Sequence, residues 1–273
     1  MKTFHHKLGG INFCYDVSDL PVDKNFPLHM HDDFELLCVV TGKVGYIVEG
    51  HVYDLRPGSV MIMRSAESHK LLINQSERYE RFVLNFVPEV LGDCGLPHSL
   101  LSPYLERGLG EKNHYAPEDF DGIKPIDLLK EMTKSLDYLS PKDAVLSFLP
   151  ALLSLLQSAF QRGVLHKEST SADQGQRLIN YVNNHLFDEL SLKGIAEHMH
   201  LSESHLNRIF HASAGTSVYR YVLSKRLIAA QQLIMKGEGA QAASQKCGFH
   251  DYSAFYRLYK KRFHVSPAAA KPK

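Results

Sequence analysis

The chain has few cysteines, almost no net charge, no long unbroken apolar run and no glycine-rich phosphate loop. Its four cysteines, Cys14, Cys38, Cys94 and Cys247, are widely scattered and form no C-x-x-C pair. That excludes an obvious disulfide framework and fits reduced thiols in a cytoplasmic protein. The N-terminus lacks the apolar core of a signal peptide. The longest apolar stretch, near residues 144–156, reads as too short and too interrupted to span a bilayer, so no membrane partner is expected. A G-x-S-x-G elbow is also missing, and no nucleophile–base pairing stands out.

What is present is uneven. The net charge is +1 over 273 residues, a length that suits two domains. Residues 174–273 hold 14 Lys/Arg against 6 Asp/Glu, a net +8. The remainder holds 17 against 24, a net −7. A basic C-terminal part on an acidic N-terminal part points to nucleic acid at one end.

The basic part repeats itself. S-H-L-N-R-I-F-H (204–211) returns 49 residues later as S-A-F-Y-R-L-Y-K (253–260). Ser217 and Ser266 follow in step. On a helical wheel Leu206, Ile209 and Phe210 share one face, while Ser204, Asn207, Arg208 and His211 point the other way. The second copy sorts alike: Phe255, Leu258 and Tyr259 inward; Ser253, Tyr256, Arg257 and Lys260 outward. A recognition helix needs this arrangement, an apolar face to anchor it and polar side chains to reach base edges. Ser191 and Ser202 are expected caps, and His200 occupies a tight turn between two short helices, the helix-turn-helix unit. A further helix with apolar residues at Leu178, Ile179, Val182 and Leu186 precedes them. Between the copies, residues 217–236 read as one amphipathic helix about 30 Å long, near the ~34 Å turn of B-DNA.

The N-terminal part reads as strands at 34–40, 44–49, 52–55, 59–63, 69–73 and 78–86, broken by Gly and Pro, the pattern of a sandwich or barrel. Residues 87–116 look irregular. Helical periodicity returns near 126–138 and again at 144–160, where Pro150 should kink the helix or restart it. That second helix is apolar nearly all round and must pack on the barrel or on a second subunit. Residues 163–175 read as linker.

His29, His31, Glu35 and Gly42 follow the spacing H-x-H, three residues, Glu, six residues, Gly. This resembles the first motif of the cupin barrels. The second motif is only partly kept: Gly58 leads to Arg64 where the family has Pro, to Ala66 where it has Gly, and to His69 at its histidine. The asparagine is displaced to Asn74. His29, His31, Glu35 and His69 have the chemistry to hold a divalent metal. The same residues can equally line a pocket and bond a sugar hydroxyl, and the altered second motif weakens the metal case. Tyr46, Phe34 and Tyr53 are candidate stacking aromatics.

Segments 191–210, 215–234 and 247–267 together resemble the AraC/XylS transcription regulators over about 90 residues. Gly215, Arg226, Leu227 and Ala230 match the linker-helix pattern. Gly248, Phe249, Ser253, Phe255, Arg257 and Pro267 match the second signature. The resemblance implies an α+β multidomain chain. Its parts would be a cupin (double-stranded β-helix) sensor at 1–163, a linker at 164–175 and an all-α DNA-binding domain with two helix-turn-helix units at 176–273. It implies Ser204, Asn207, Arg208, Ser253, Tyr256 and Arg257 as base readers, with Lys260 and Lys261 on phosphate and His211 on the same face. His29, His31, Glu35, Tyr46 and His69 would line the effector site. It further implies promoter DNA, a sugar effector, RNA polymerase and a second copy of the chain as partners, no cofactor, and activation of a carbohydrate-use operon. The competing reading is a metal-dependent cupin isomerase or dioxygenase with a DNA-binding tail.

Two departures bear on the second unit. The family's Ile-x-x-Ile-Ala before Gly248 is replaced by Ala240, Ala243 and Ser244, which predicts a less well packed and weaker reader. The ending S-P-A-A-A-K-P-K puts the last helix in doubt.

Overall fold

The computed structural model describes residues 3–8, 10–22, 26, 28–73, 77–163 and 174–270. Asn74 and most of the expected linker lie outside them. The chain divides into two compact units, residues 1–29 with 33–170 and residues 30–32 with 171–273.

The first unit is built on nine strands: β1 (Phe4–Leu8), β2 (Ile11–Ser18), β3 (Phe34–Thr41), β4 (Val44–Val48), β5 (His51–Leu55), β6 (Val60–Met63), β7 (His69–Leu72), β8 (Tyr79–Phe86) and β9 (His114–Tyr115). They form a six-stranded sheet in the order β1-β2-β8-β3-β6-β9 and a three-stranded sheet in the order β5-β4-β7. All pairings are antiparallel. β1 and β2 lie ahead of residue 34, where the sequence was expected to begin its strands. The stretch 87–116, expected to be irregular, contains two short helices, α1 (Glu89–Asp93) and α2 (Ser102–Leu105), and the whole of β9.

Alternation sorts the large sheet into two faces. Phe13, Tyr15, Leu36, Cys38, Ile62, Phe82 and Leu84 pack outward against helices α3 (Pro125–Ser135) and α4 (Pro141–Gln161). Leu37, Val39, Met61 and Met63 pack inward with Val44, Tyr46, Val48 and Leu71 of the small sheet. β3 is buried on both sides for this reason, and its sequence is a continuous apolar run broken only by Glu35.

The Ser140 hydroxyl caps α4, accepting from the Asp143 N–H at 3.2 Å. The helix runs unbroken through Pro150, so the proline does not restart it. At 21 residues it is long and apolar enough to cross a bilayer by length and composition, which corrects the expectation of too short a stretch. Its Val145, Leu149, Leu152, Leu153 and Leu156 are buried in the unit's own core. Of the two expected packings, the barrel face is the one observed.

The β6–β7 turn shows why the second cupin-like motif can depart from its pattern. Ala66 adopts φ 62°, the left-handed conformation that glycine takes most easily. Next to it, the buried Glu67 carboxylate accepts from both Arg107 Nη atoms (2.6 and 2.7 Å) and from the N–H of Arg64 (2.9 Å) and Gly110 (3.1 Å). Burial pushes this carboxyl up, but the Arg107 charge and these hydrogen bonds carry it below the usual carboxylate range.

The second unit is helical: α5 (Gln174–Asn184), α6 (Leu192–His198), α7 (Glu203–Ala214), α8 (Val218–Met235), α9 (Ala240–Lys246) and α10 (Tyr252–Phe263). α5 begins inside the stretch expected to be linker. A further helix after Ser266 is replaced by a single 3-10 turn, Pro267–Ala270. α8 is 18 residues, about 27 Å long, slightly shorter than expected. Nor is it amphipathic. Val218, Tyr221 and Val222 bury with α5, α6 and α7, whereas Leu227, Ala230 and Ile234 bury with α9 and α10.

Candidate nucleic-acid interface and sensor cavity

The two repeated helices, α7 and α10, are built alike. Glu203–Ala214 and Tyr252–Phe263 are both 12 residues long and stand 49 positions apart at either end. The Ser202 hydroxyl accepts from the His205 N–H at 3.3 Å, and the Asp251 carboxylate accepts from the Ser253 N–H at 2.8 Å. Each helix leaves through a left-handed residue, Gly215 at φ 67° and His264 at φ 60°. Two positions later a serine caps the next turn, Ser217 for α8 and Ser266 for the final 3-10 turn. The whole repeat, caps included, thus follows the period read from the sequence.

The turns that lead in differ. α6 ends through His200 at φ 54°, two residues before its cap. α9 ends through Gly248 at φ 76°, three residues before its cap. The second turn therefore carries one extra residue, and α9 stands 48 positions after α6 rather than 49. Gly248 is fixed by space as well as by angle: a Cβ there would lie 2.8 Å from Arg226 Cζ. Arg226 donates from Nε to Leu186 O (2.7 Å), from Nη2 to Asp188 O (2.6 Å) and from Nη1 to Gly248 O (2.8 Å). It clasps the α5–α6 connection and the α9–α10 turn onto α8 and is a structural residue.

Leu206, Phe210, Phe255 and Tyr259 are buried, and Ile209 and Leu258 half-buried. Ser204, Asn207, Arg208, His211, Ser253, Tyr256, Arg257, Lys260 and Lys261 are all exposed. Arg208 Nη2 rests 3.1 Å from His205 Nδ1, which aligns the guanidinium along its helix.

In the first unit, the inward face of β2, β3 and β8 is polar at one end. It lines a cavity of about 280 Å³ with His5, Asn12, Cys14, Asp16, His29, Glu35, Tyr46, Tyr79 and Arg81. Asn12 Nδ2 donates to Asn85 Oδ1 (3.2 Å), and Asn85 Nδ2 donates to Glu35 Oε2 (2.8 Å). Arg81 Nη2 donates to Asp16 Oδ2 (3.0 Å), with the guanidinium 5.4 Å from the Phe26 ring and 5.3 Å from the Tyr79 ring. The buried Tyr79 hydroxyl and Arg81 Nη1 have no hydrogen-bond partner among the described residues.

Of the expected effector residues, His29, Glu35 and Tyr46 line this cavity. His69 is fully buried behind it, its ring stacked on Tyr46 at 6.1 Å. His31 does not line it. Phe34 faces the opposite side of the sheet against Tyr104, and Tyr53 is buried with its hydroxyl donating to the Gly110 carbonyl; neither lines the cavity. His5, Cys14, Asp16 and Arg81 were not anticipated. The alternation in I-N-F-C-Y-D-V (11–17) was the signal that could have found β2.

Within the first unit, one ligand atom from each of His29, Glu35 and His69 falls within 4.8 Å of the others, whereas His31 belongs to the second unit. His69 Nδ1 lies 2.8 Å from the Glu67 carbonyl, which only accepts, so Nδ1 carries the proton. Nε2 then presents its lone pair 3.9 Å from Glu35 Oε2. The donor set fits a divalent ion, and such an ion would supply a Lewis acid for a ligand oxygen.

Comparison with known proteins agrees in both halves. The AraC-like ligand binding domain family matches residues 21–112, and a helix-turn-helix domain family matches residues 195–271. The HTH-type transcriptional activator RhaS of Escherichia coli is 24% identical, the match covering 89% of this chain and 86% of RhaS. Among solved structures, ToxT from Vibrio cholerae is 14% identical, covering 94% of this chain and 96% of that one at a TM-score of 0.38. The DNA-binding domain of AdpA, solved with a target DNA, is 20% identical, covering 36% of this chain and 88% of that one at a TM-score of 0.34. A ligand-binding barrel joined to a DNA-binding helix-turn-helix domain defines a ligand-responsive transcription regulator, not an enzyme. The chain belongs to the AraC/XylS family.

Proposed function

We propose that the chain activates a carbohydrate-use operon by reading two successive major grooves with α7 and α10, under control of a sugar bound in the barrel. The observation that carries this is the paired construction of α7 and α10: equal length, a side-chain cap at each start, and every outward polar residue exposed. Residues 1–163 act as sensor and 176–273 as reader. Ser204, Asn207, Arg208, Ser253, Tyr256 and Arg257 read bases, the arginines being suited to guanine O6 and N7. His211, Lys260 and Lys261 contact the backbone.

The sugar reading is supported by the cavity's chemistry. Tyr79 and Arg81 offer spare donors and Asp16 and Glu35 offer carboxylate oxygens, a mixture that suits adjacent hydroxyl groups. The relative RhaS, named as an activator, supports the sign of regulation and contact with RNA polymerase. A homodimer is supported by the outer face of α4, where Ser147, Ala151, Ser154 and Ser158 are exposed and small enough for another helix to approach. A regulator of this kind works where the chromosome is, in the cytoplasm.

The test is selection of bound sequences from a random duplex pool with the full chain, repeated with a panel of sugars. The reading expects two short conserved blocks about one helical turn apart, and occupancy that changes with one sugar. A single block would remove the two-groove reading. Two blocks with no response to any sugar would remove the effector assignment alone.

A further inference from the structure

The barrel wall holds a cluster of metal-ligating side chains separate from the histidines singled out in the sequence. We propose that His5, Cys14 and Asp16 form a site for a divalent transition-metal ion whose open coordination position faces the sensor cavity. In the β1–β2 hairpin His5 pairs directly with Cys14, so both side chains leave the same face. Asp16 is two residues further along β2 and shares that face. His5 Nε2 lies 2.8 Å from Asp16 Oδ1, and Cys14 Sγ lies 3.8 Å from Asp16 Oδ2. One ligand atom from each residue falls within 4.8 Å of the other two. Bonds of about 2.0–2.3 Å in a tetrahedral shell place neighbouring ligand atoms roughly 3.4–3.7 Å apart. The present spacings need shifts of less than an ångström or so to reach that shell.

Charge supports the assignment. Asp16 and Glu35 bring two carboxylates to the cavity against the one guanidinium of Arg81, an excess of negative charge that favours a cation. The thiol proton leaves to solvent as the metal–sulfur bond forms. Arg81 holds Asp16 by Oδ2, leaving Oδ1 on the His5 side for a single metal bond. A nitrogen, sulfur and carboxylate set selects zinc, cobalt or nickel over magnesium and calcium. All three residues line the cavity, so its interior faces the fourth position. A hydroxyl or carboxylate oxygen of a bound molecule can complete the shell there. The site does not rest on the sugar reading.

Cobalt(II) discriminates this site from the His29, Glu35 and His69 cluster, because only this one contains sulfur. The full chain, untagged and fully reduced, is titrated anaerobically with cobalt(II). The expected result is a near-ultraviolet thiolate-to-cobalt charge-transfer band saturating at one equivalent. The band should disappear in Cys14→Ser and persist in Cys38→Ser, Cys94→Ser and Cys247→Ser. His5 has a side chain 60% exposed, so His5→Ala should keep the fold by circular dichroism while weakening cobalt at least about tenfold. That variant keeps the test decisive even if Cys14→Ser is poorly folded. Cobalt bound without the charge-transfer band would assign the ion to the histidine–glutamate cluster and overturn the proposal. A band that survives in Cys14→Ser, an unchanged affinity in His5→Ala, or no binding at all would overturn it equally.

Discussion

The two helix-turn-helix units share the backbone of the helix that would meet DNA and differ in the helix and turn behind it. α7 and α10 agree in length and exit conformation, and each starts on a side-chain cap. The helices behind them differ. α6 buries Ile195 and Ala196, whereas α9 buries Ala243 and Ser244 and reaches α10 through a turn one residue longer. Of the outward residues only Ser204/Ser253 and Arg208/Arg257 are kept, while Asn207 becomes Tyr256 and His211 becomes Lys260. The changed support predicts an asymmetry in stability, and the support together with these exchanges predicts one in DNA affinity.

The largest expected effect comes from the anchors. Phe210→Ala and Phe255→Ala should each cost about 3–5 kcal/mol, both rings being fully buried. Hydrogen exchange on the unaltered chain should show α9 and α10 opening at lower free energy than α6 and α7. Equal protection in the two units would break the comparison.

Arg226→Ala should cost about 3 kcal/mol, since three backbone carbonyls lose a charged donor. Urea melts read this directly, and a loss under 1 kcal/mol would show that the clasp adds little.

On DNA, Arg208→Ala should cost about 1–3 kcal/mol and relax preference at one base pair, with Arg257→Ala costing less. Competition binding against single-base variants of the site measures both. A larger loss at Arg257 would reverse the ranking of the readers. Lys261→Ala should weaken all sequences alike and lower the salt slope by about one.

The smallest effects have opposite signs. Gly at position 200 relieves about 1–2 kcal/mol of left-handed strain but adds up to about 1 kcal/mol of unfolded-state entropy. His200→Gly should therefore stabilise by about 0.5 kcal/mol. Gly248→Ala should destabilise, through both its φ of 76° and its contact with Arg226. Thermal melts showing the same sign for both would mean that the two turns are not under comparable constraint.

What could be read from sequence tracks the range of the interactions involved. β3 to β8 were legible because each is a short apolar run closed by Gly, Pro or a charged turn. The buried faces of α7 and α10 were legible because a helix repeats within a few residues. β2 carries a local alternation that was missed, but its place beside β8 is fixed by pairing between residues 11–18 and 79–86, far apart in the chain, and β1 is placed only through its hairpin with β2. The cavity suffered the same blindness. His29 and Glu35 announce themselves by local spacing, but Cys14, Asp16 and Arg81 meet only across strands. The longer second turn was hidden because the repeat was aligned on the recognition helices alone. Pro150 misled because its first-principles cost in a helix is outweighed here by the buried face on either side of it.

α8 divides its buried face between two cores, giving Val218, Tyr221 and Val222 to one unit and Leu227, Ala230 and Ile234 to the other. Cutting the chain after residue 235 would strip the second half of that face bare, and cutting before residue 218 would bare the first. Either cut would therefore expose part of α8, so each half of the domain depends on the other to cover their shared helix.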